Sequence, residues 1–151
     1  MGKVDEVISR MSGHRAYLDT NIFVYFLDRN PDFFDVVRPL IEAIDSGKIT
    51  GVTGDAAPAE TLVKPYRTGN LELVAAIRGF FGTEGFLSMQ PHDGETFDLA
   101  AQLRGRRGMK FIDALHYATA IRSGCSFFIT NDLKTQSDDL LEIISLKELK
   151  E

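Results

Sequence analysis

The sequence predicts an α/β protein with three layers, in which helices cover both faces of a central parallel sheet. Two observations support this fold class. Five short apolar runs alternate along the chain with segments whose apolar residues recur at helical spacing. At least one of these runs, Ser126–Thr130, is aromatic and β-branched with no polar alternation, which is typical of a strand buried on both faces. Strands that alternate with helices in this way form a parallel sheet.

The strands are expected at 16–18, 49–53, 85–89, 126–130 and 141–146. The first strand ends abruptly at Asp19, after which a new apolar segment begins. Gly54 and Asp55 form a turn after the second strand, and Pro91 ends the third.

The helices are expected at 5–12, 21–27, 32–45, 55–64, 70–81, 95–103 and 111–121. Asp19 or Thr20 can cap the helix that follows the first strand. Asp55 is a predicted N-cap of the fourth helix, and Pro65 is expected to disturb its end. Pro39 lies inside the third helix, where a proline can introduce a kink. Residues 105–108 are predicted to form a loop because two glycines border this basic segment.

A chain of 151 residues is expected to form a single domain, here 1–151 with a core at about 16–146. The composition, 44% hydrophobic and 26% charged, is that of an ordinary globular protein. No apolar run approaches the roughly 20 residues that span a bilayer, and residues 1–13 do not resemble a secretory signal. The single cysteine, Cys125, excludes an intramolecular disulfide, so a cytoplasmic location is expected.

The net charge of −5 argues against a general nucleic-acid-binding protein. The basic residues are unevenly distributed, however, and one run contains no acid: Arg104, Arg106, Arg107 and Lys110. Such a run is usually a solvated surface, but it can also hold a polyanion. Because it lies just before Asp113, we hypothesise that it binds RNA phosphates.

Acidic residues follow the predicted strands or open the helices near them: Asp19, Glu60, Asp113 and Asp132. Ligands of parallel sheets bind at the carboxyl ends of the strands, so these positions are the ones to consider. Carboxylates that converge in one pocket repel each other, and a hard cation such as Mg²⁺ removes that repulsion. A bound divalent ion can activate water and neutralise phosphate charge, so the expected reaction is phosphodiester hydrolysis.

Each of these acids also has an ordinary structural explanation. An acid after a strand is commonly a helix cap, and Asp113 suits the positive end of its helix. Thr130 and Asn131 either orient the carboxylate of Asp132 or make ordinary turn hydrogen bonds. His116 lies one helical turn from Asp113, but a histidine in an Ala-rich helix is usually a packed residue. His92 looks incidental.

Four segments in this order resemble the PIN domain, and their size and spacing are similar to those of the VapC-type toxin nucleases: Leu18–Ile22, Ala59–Tyr66, Phe111–Ala120 and Ile129–Asp132. The resemblance implies a five-stranded sheet of order 3-2-1-4-5 and a ribonuclease that depends on Mg²⁺ or Mn²⁺. The four acids match the family's acidic positions, which implies that they are the metal ligands and catalytic residues. It also implies a homodimer that a cognate antitoxin inhibits.

Thr20 and Asn21 belong to the first of these segments, and we expect them to support the site together with Thr130 and Asn131. The chain departs from the family pattern at 54–58, where the family commonly has a hydroxyl residue and bulky apolar residues. This departure thins the packing beneath Glu60 and adds an acid, Asp55.

The sequence therefore predicts a metal-dependent endoribonuclease, the toxin of a toxin–antitoxin pair. One alternative is a receiver-like or phosphatase-like domain in which Asp19 accepts a phosphoryl group. Such a domain is expected to have a lysine after a late strand and a pair of acids after its first strand. Lys134 is near the position of that lysine, but this chain lacks the pair of acids. The other alternative is a non-catalytic PIN-like domain that binds RNA or a protein.

Overall fold

The computed structural model of the chain describes residues 2–132 and 140–150. The strands are β1 Arg15–Leu18, β2 Thr50–Gly54, β3 Leu87–Gln90, β4 Phe127–Thr130 and β5 Glu142–Ser145. The helices are α1 Lys3–Met11, α2 Thr20–Leu27, α3 Phe34–Asp45, α4 Ala56–Thr68, α5 Leu71–Phe81, α6 Gly94–Arg107, α7 Phe111–Arg122 and α8 Leu146–Leu149. Lys134 lies outside the described residues.

The five strands form one parallel sheet with the order β3-β2-β1-β4-β5, as predicted. Tyr17 in the central strand β1 is in register with Val52 of β2 and with Phe128 of β4. The chain builds outward from β1 in one direction through β2 and β3, and then in the other direction through β4 and β5. The order therefore reverses between β1 and β4, and the carboxyl ends of these two strands are where a ligand is expected.

Helices pack against both faces of the sheet. Leu18 and Ile129 point into one core, which they share with residues of α2 and α3. Tyr17 and Phe128 point into a second core with residues of α6 and α7, and their rings stack with centroids 5.4 Å apart. Because side chains alternate along a strand, neighbouring apolar residues fill different cores. This confirms the three-layer arrangement.

The prediction of a loop at 105–108 was wrong, because α6 continues through Arg107. Gly105 is accommodated within the helix, and only Gly108 adopts the left-handed conformation, with φ of 66°, that ends it. Three of the four basic residues are thus in the last helical turn, where positive charge is favourable next to the helix C-terminus.

The prediction that Pro65 disturbs α4 was also wrong. The helix extends to Thr68 and ends at Gly69, whose φ is 71°. Proline removes one backbone hydrogen bond, but its ring is buried here, and we attribute the intact helix to that packing. Helix α3 likewise continues through Pro39, and the short α8 follows β5 where only strand was expected.

Within the part of the chain that the structure describes, every helix is too short or too polar to cross a bilayer.

Candidate functional site

Asp19 is the first residue beyond β1 and occupies the N-cap position of α2. Its Oδ1 accepts a hydrogen bond of 2.9 Å from the backbone N–H of Thr20, and its Oδ2 accepts one of 2.7 Å from the hydroxyl of Thr130. The residue is 8% exposed. Asp19 is therefore both a helix cap and a buried carboxylate that the end of β4 holds in place.

Burial raises the pKa of Asp19, and the nearby charge of Glu60 raises it further. His116 and the hydrogen bonds from Thr130 and Thr20 act in the opposite direction without cancelling the effect of burial. A carboxylate in this position is costly to keep ionised without a positive partner. A bound cation would supply that partner.

Glu60 lies in the second turn of α4, and its carboxylate contacts two buried groups. Thr20 Oγ1 donates to its Oε1 at 2.6 Å, and His116 Nε2 lies 2.7 Å from the same oxygen. Burial alone would raise the pKa of Glu60, but the hydrogen bonds from His116 and Thr20 lower it below its usual range. Despite the unusual 54–58 segment, the structure brings Glu60 beside Thr20, the neighbour of Asp19.

Asp113 lies in the first turn of α7. Burial raises its pKa, and the charges of Asp19 and Asp132 raise it further, opposed by Lys110 and His116. Helices α6 and α7 pack against each other, and α7 also contacts β2, the strand beside β1. The structure therefore places Asp113 within electrostatic reach of the acids that follow β1 and β4.

Asp132 and its neighbours connect the end of β4 to α2. The backbone N–H of Asp132 donates to Thr130 Oγ1 at 3.0 Å. The backbone N–H of Asn131 donates to Asn21 Oδ1 at 3.3 Å, and its side-chain amide donates to the hydroxyl of Tyr25 at 3.1 Å. The buried Oδ1 of Asn131 has no hydrogen-bond partner among the described residues.

The donors at this edge are carboxylate, hydroxyl and amide oxygens, which suit a hard cation. Among the described residues, no three His, Cys, Asp or Glu side chains are grouped closely enough to hold a metal ion by themselves. Mg²⁺ does not require such a group, because it is commonly held by one or two carboxylates and keeps several waters. The donor set, including the orphaned oxygen of Asn131, therefore fits this ion.

Two histidines that sequence reasoning set aside are part of this region. His116 is 1% exposed and contacts both Tyr17 and Glu60. His92, expected to be incidental, lies 2.8 Å by Nδ1 from Thr119 Oγ1 and accepts a hydrogen bond of 3.1 Å at Nε2 from the Ala56 N–H. His92 follows β3, so the strand-end rule that identified the acids could also have found it.

The Ala56 contact explains the start of α4. Asp55 occupies the N-cap position, as predicted, but its side chain makes no capping hydrogen bond, and His92 takes that role. Burial lowers the pKa of His92, and the neighbouring His116 lowers it further, against the opposing charges of Asp55 and Glu60. This direction favours the neutral ring, whose Nε2 accepts the bond from Ala56.

The four basic residues are exposed at the end of α6 and the start of α7. The guanidinium of Arg104 lies 5.8 Å from the centroid of the Phe111 ring, and that of Arg107 lies 5.4 Å from the centroid of Tyr117. Lys110 is close enough to Asp113 to lower its pKa. A basic surface thus adjoins the acidic edge of the sheet.

Several solved structures resemble this fold. One is VapBC2 from Rickettsia felis bound to a DNA fragment from its promoter, with a TM-score of 0.67 and 18% identity over 87% of this chain and 98% of that one. A toxin–antitoxin complex from Klebsiella pneumoniae has a TM-score of 0.66 and 14% identity over 87% and 97%. VapC20 from Mycobacterium tuberculosis, described as a sarcin-ricin loop cleaving toxin, has a TM-score of 0.62 and 12% identity over 83% and 92%.

At these identities the likeness concerns the fold. No curated protein matches the chain significantly by sequence. The family model of the PIN domain matches residues 16–137, which include all four acids and both strands of the switch point. This protein therefore belongs to the PIN domain family.

Proposed function

We propose that this protein is a metal-dependent endoribonuclease that hydrolyses RNA phosphodiester bonds, and that it is the toxin of a type II toxin–antitoxin pair. The single observation that carries the proposal is the electrostatic coupling of Asp113 to Asp19 and Asp132 at the switch point of the sheet. The charges of Asp19 and Asp132 raise the pKa of Asp113, and a divalent cation would relieve this repulsion.

Asp19 and Asp113 would hold Mg²⁺ or Mn²⁺, and Glu60 and Asp132 would complete the site directly or through water. When bound, the ion lowers the pKa of a water molecule and bears negative charge from a phosphate. Supporting groups then keep the carboxylates in place. Thr20 and Thr130 do so by the hydrogen bonds described above, while Asn21 and Asn131 join α2 to the end of β4.

The proposed reaction is hydrolysis by water rather than attack by the ribose 2′-hydroxyl. A water oxygen forms a bond to phosphorus as the bond to the 3′ oxygen breaks, so the products carry 5′-phosphate and 3′-hydroxyl ends. The basic surface formed by Arg104, Arg106, Arg107 and Lys110 would hold phosphates of the RNA beside the acids.

The test is cleavage of RNA by the wild type and by Asp19→Asn in the presence of Mg²⁺. We expect cleavage by the wild type, no cleavage after chelation, and loss of at least about a hundredfold in rate for the variant, since one metal ligand is removed. Asp45→Asn is the matched control, because Asp45 is an exposed acid at the end of α3. Equal rates for Asp19→Asn and the wild type, or activity that survives chelation, would contradict the mechanism.

Two protein partners belong to the proposal. The structural neighbours include one described as a toxin–antitoxin complex, which supports a cognate antitoxin for this chain. Co-expression with the product of a small adjacent open reading frame should relieve growth arrest caused by this protein. We also propose a homodimer, which light scattering would detect as twice the chain mass of 16.8 kDa.

A non-catalytic domain that binds RNA or protein is the second candidate. The observation that favours it is the lack, among the described residues, of a preassembled group of three metal-ligating side chains. Calorimetric titration with Mg²⁺ separates the two candidates. A nuclease binds the ion at a site that Asp19→Asn weakens, whereas a non-catalytic domain shows no such site.

A further inference from the structure

We infer that His116 is a positioning residue that fixes the carboxylate of Glu60, and that Tyr17 holds the His116 ring in the orientation this requires. The inference rests on the proposed function, because it concerns how one of the four acids is presented to a cation. It arises from a buried row of three side chains that runs from the second core to the acidic edge of the sheet.

Both ring nitrogens of His116 have partners. Nδ1 lies 2.6 Å from the hydroxyl of Tyr17, and Nε2 lies 2.7 Å from Oε1 of Glu60. Tyr17 is fully buried and His116 is 1% exposed, whereas the side chain of Glu60 is 33% exposed. The row therefore has two buried members and ends at a carboxylate that solvent and ligands can reach.

The chemistry of the partners fixes the direction of each hydrogen bond. A carboxylate only accepts, so Nε2 must carry the proton and donate to Glu60. In a ring whose single proton is on Nε2, Nδ1 is an acceptor, so the phenol hydroxyl of Tyr17 donates to it. This arrangement selects a single tautomer, with the proton on Nε2.

The consequence for Glu60 concerns which of its oxygens is available. Oε1 accepts from both Thr20 and His116, and these two bonds use its two lone-pair directions. Oε2 is thus the oxygen with capacity for a cation or a cation-bound water. Without His116, Thr20 would be the one remaining hydrogen-bond donor to this carboxylate among the described residues, and the carboxylate could then rotate between several orientations.

A second set of contacts fixes the helix that carries Glu60. His92 packs edge-on against His116, with ring centroids 5.9 Å apart and planes at 80°, and its Nε2 accepts from the first N–H of α4. Gly54 leaves room for this packing, because a Cβ there would lie 2.2 Å from His92 and 2.7 Å from the Tyr17 hydroxyl. The unusual 54–58 segment therefore accommodates the histidines that place Glu60.

The test compares two replacements of His116. Gln can present an amide N–H near the position of Nε2, whereas Leu has a similar size and no donor. The readouts are Mn²⁺ affinity, measured by electron paramagnetic resonance without RNA, and the rate of RNA cleavage. We expect His116→Leu to lower both the Mn²⁺ affinity and the cleavage rate by about 10–100-fold, as is typical when the hydrogen-bond partner of a metal ligand is removed. His116→Gln should recover most of this loss. His14→Gln is the control, because His14 is exposed.

Nitrogen-15 spectra of the histidine ring provide an independent readout. The wild type should show His116 with its proton on Nε2, as the carboxylate of Glu60 requires. Tyr17→Phe keeps the ring stack with Phe128 but removes the hydrogen-bond partner of Nδ1, so the Nδ1 resonance should move toward that of a nitrogen without a hydrogen bond, and an unchanged Nδ1 resonance would contradict the role of Tyr17. Tyr17→Phe is also the second test variant for the metal-affinity measurement if His116→Leu does not fold. It should weaken Mn²⁺ binding.

The outcomes separate this inference from the proposed function. If His116→Leu folds and matches the wild type in Mn²⁺ affinity and cleavage while Asp19→Asn is inactive, the nuclease proposal stands and the role of His116 is wrong. If the wild type binds Mn²⁺ but does not cleave RNA, the function is wrong and the metal affinities still decide the role of His116. If the wild type binds no Mn²⁺, both the proposed nuclease function and the positioning role of His116 are wrong.

Discussion

Thr130 and Asp19, which are 111 residues apart in the sequence, are joined by a hydrogen bond of 2.7 Å from the threonine hydroxyl to Oδ2 of the carboxylate. The same hydroxyl accepts the backbone N–H of Asp132 at 3.0 Å. One fully buried oxygen thus connects the acid after β1 with the acid after β4 across the switch point of the sheet.

Thr130→Val should destabilise the protein and weaken the proposed metal site. The valine keeps the shape of the side chain but leaves Asp19 Oδ2 and the Asp132 N–H without this partner. Because leaving buried polar groups unpaired is costly, we expect the free energy of unfolding in urea to fall by about 1–3 kcal/mol. Thr130→Ser keeps the hydroxyl and should recover most of this loss. A Thr130→Val protein as stable as the wild type would show that the bond contributes little.

The parts of this site that the sequence predicted are those with a local pattern. Asp19 stands out because an apolar strand ends there, and Asp113 because it opens a helix. The hydrogen bonds of Tyr17, His92 and His116 connect residues that are 27 to 99 positions apart, and no local pattern predicts such partners. The strand-end rule could have identified His92, but only the fold shows what it contacts.

The error at the end of α6 has a different physical origin. Gly105 and Gly108 are the same residue type, and glycine at either position allows a helix to end. Only Gly108 has positive φ, and Gly105 remains helical. Beyond Gly105 the helix still reaches α7, since the guanidinium of Arg107 lies 5.4 Å from the centroid of the Tyr117 ring. The residue type alone does not distinguish the two glycines.

Gly54→Ala should destabilise the protein because the new methyl group meets the ring of His92 at 2.2 Å and the hydroxyl of Tyr17 at 2.7 Å. Tyr17 is fully buried and His92 is half-buried, so we expect a loss of about 1–3 kcal/mol in the free energy of unfolding. Thermal or urea unfolding measures it.

Gly79→Ala is the matched control for this substitution. Gly79 lies within α5, and an added Cβ there contacts nothing within 4 Å. Alanine favours helix over glycine, so this variant should be more stable than the wild type by about 0.5–1 kcal/mol. If the two alanine variants have equal stability, the close approach at Gly54 is not the determining contact.

Cys125 should react slowly with thiol reagents in the folded protein. It is 7% exposed, and burial raises the pKa of its thiol to about 11. Since the thiolate is the reactive form, a rise of about two pKa units lowers its population at pH 8 by about a hundredfold. Labelling with a chromogenic disulfide, with and without urea, measures this protection.

A Ser12→Cys variant supplies the comparison, because Ser12 is exposed just after α1. Its new thiol should react rapidly in the folded protein while Cys125 reacts only after unfolding. Rapid reaction of both thiols under native conditions would mean that β4 opens readily. The thiol of Cys125 would then be accessible to the reagent in the folded protein, contrary to this prediction.

Replacing Arg106 and Arg107 with Gln should weaken RNA binding in a salt-dependent manner. Both residues are exposed in the last turn of α6, on the basic surface beside Asp113. Each phosphate contact with single-stranded RNA contributes about −0.7 to the slope of log affinity against log salt, so the double variant should have a slope smaller by about 1.4. Arg38→Gln is the control, because Arg38 is an exposed arginine on α3 that pairs with Glu42. An unchanged slope in the double variant would place the RNA elsewhere on the protein, and a reduced slope in Arg38→Gln would attribute the effect to net charge rather than to this surface.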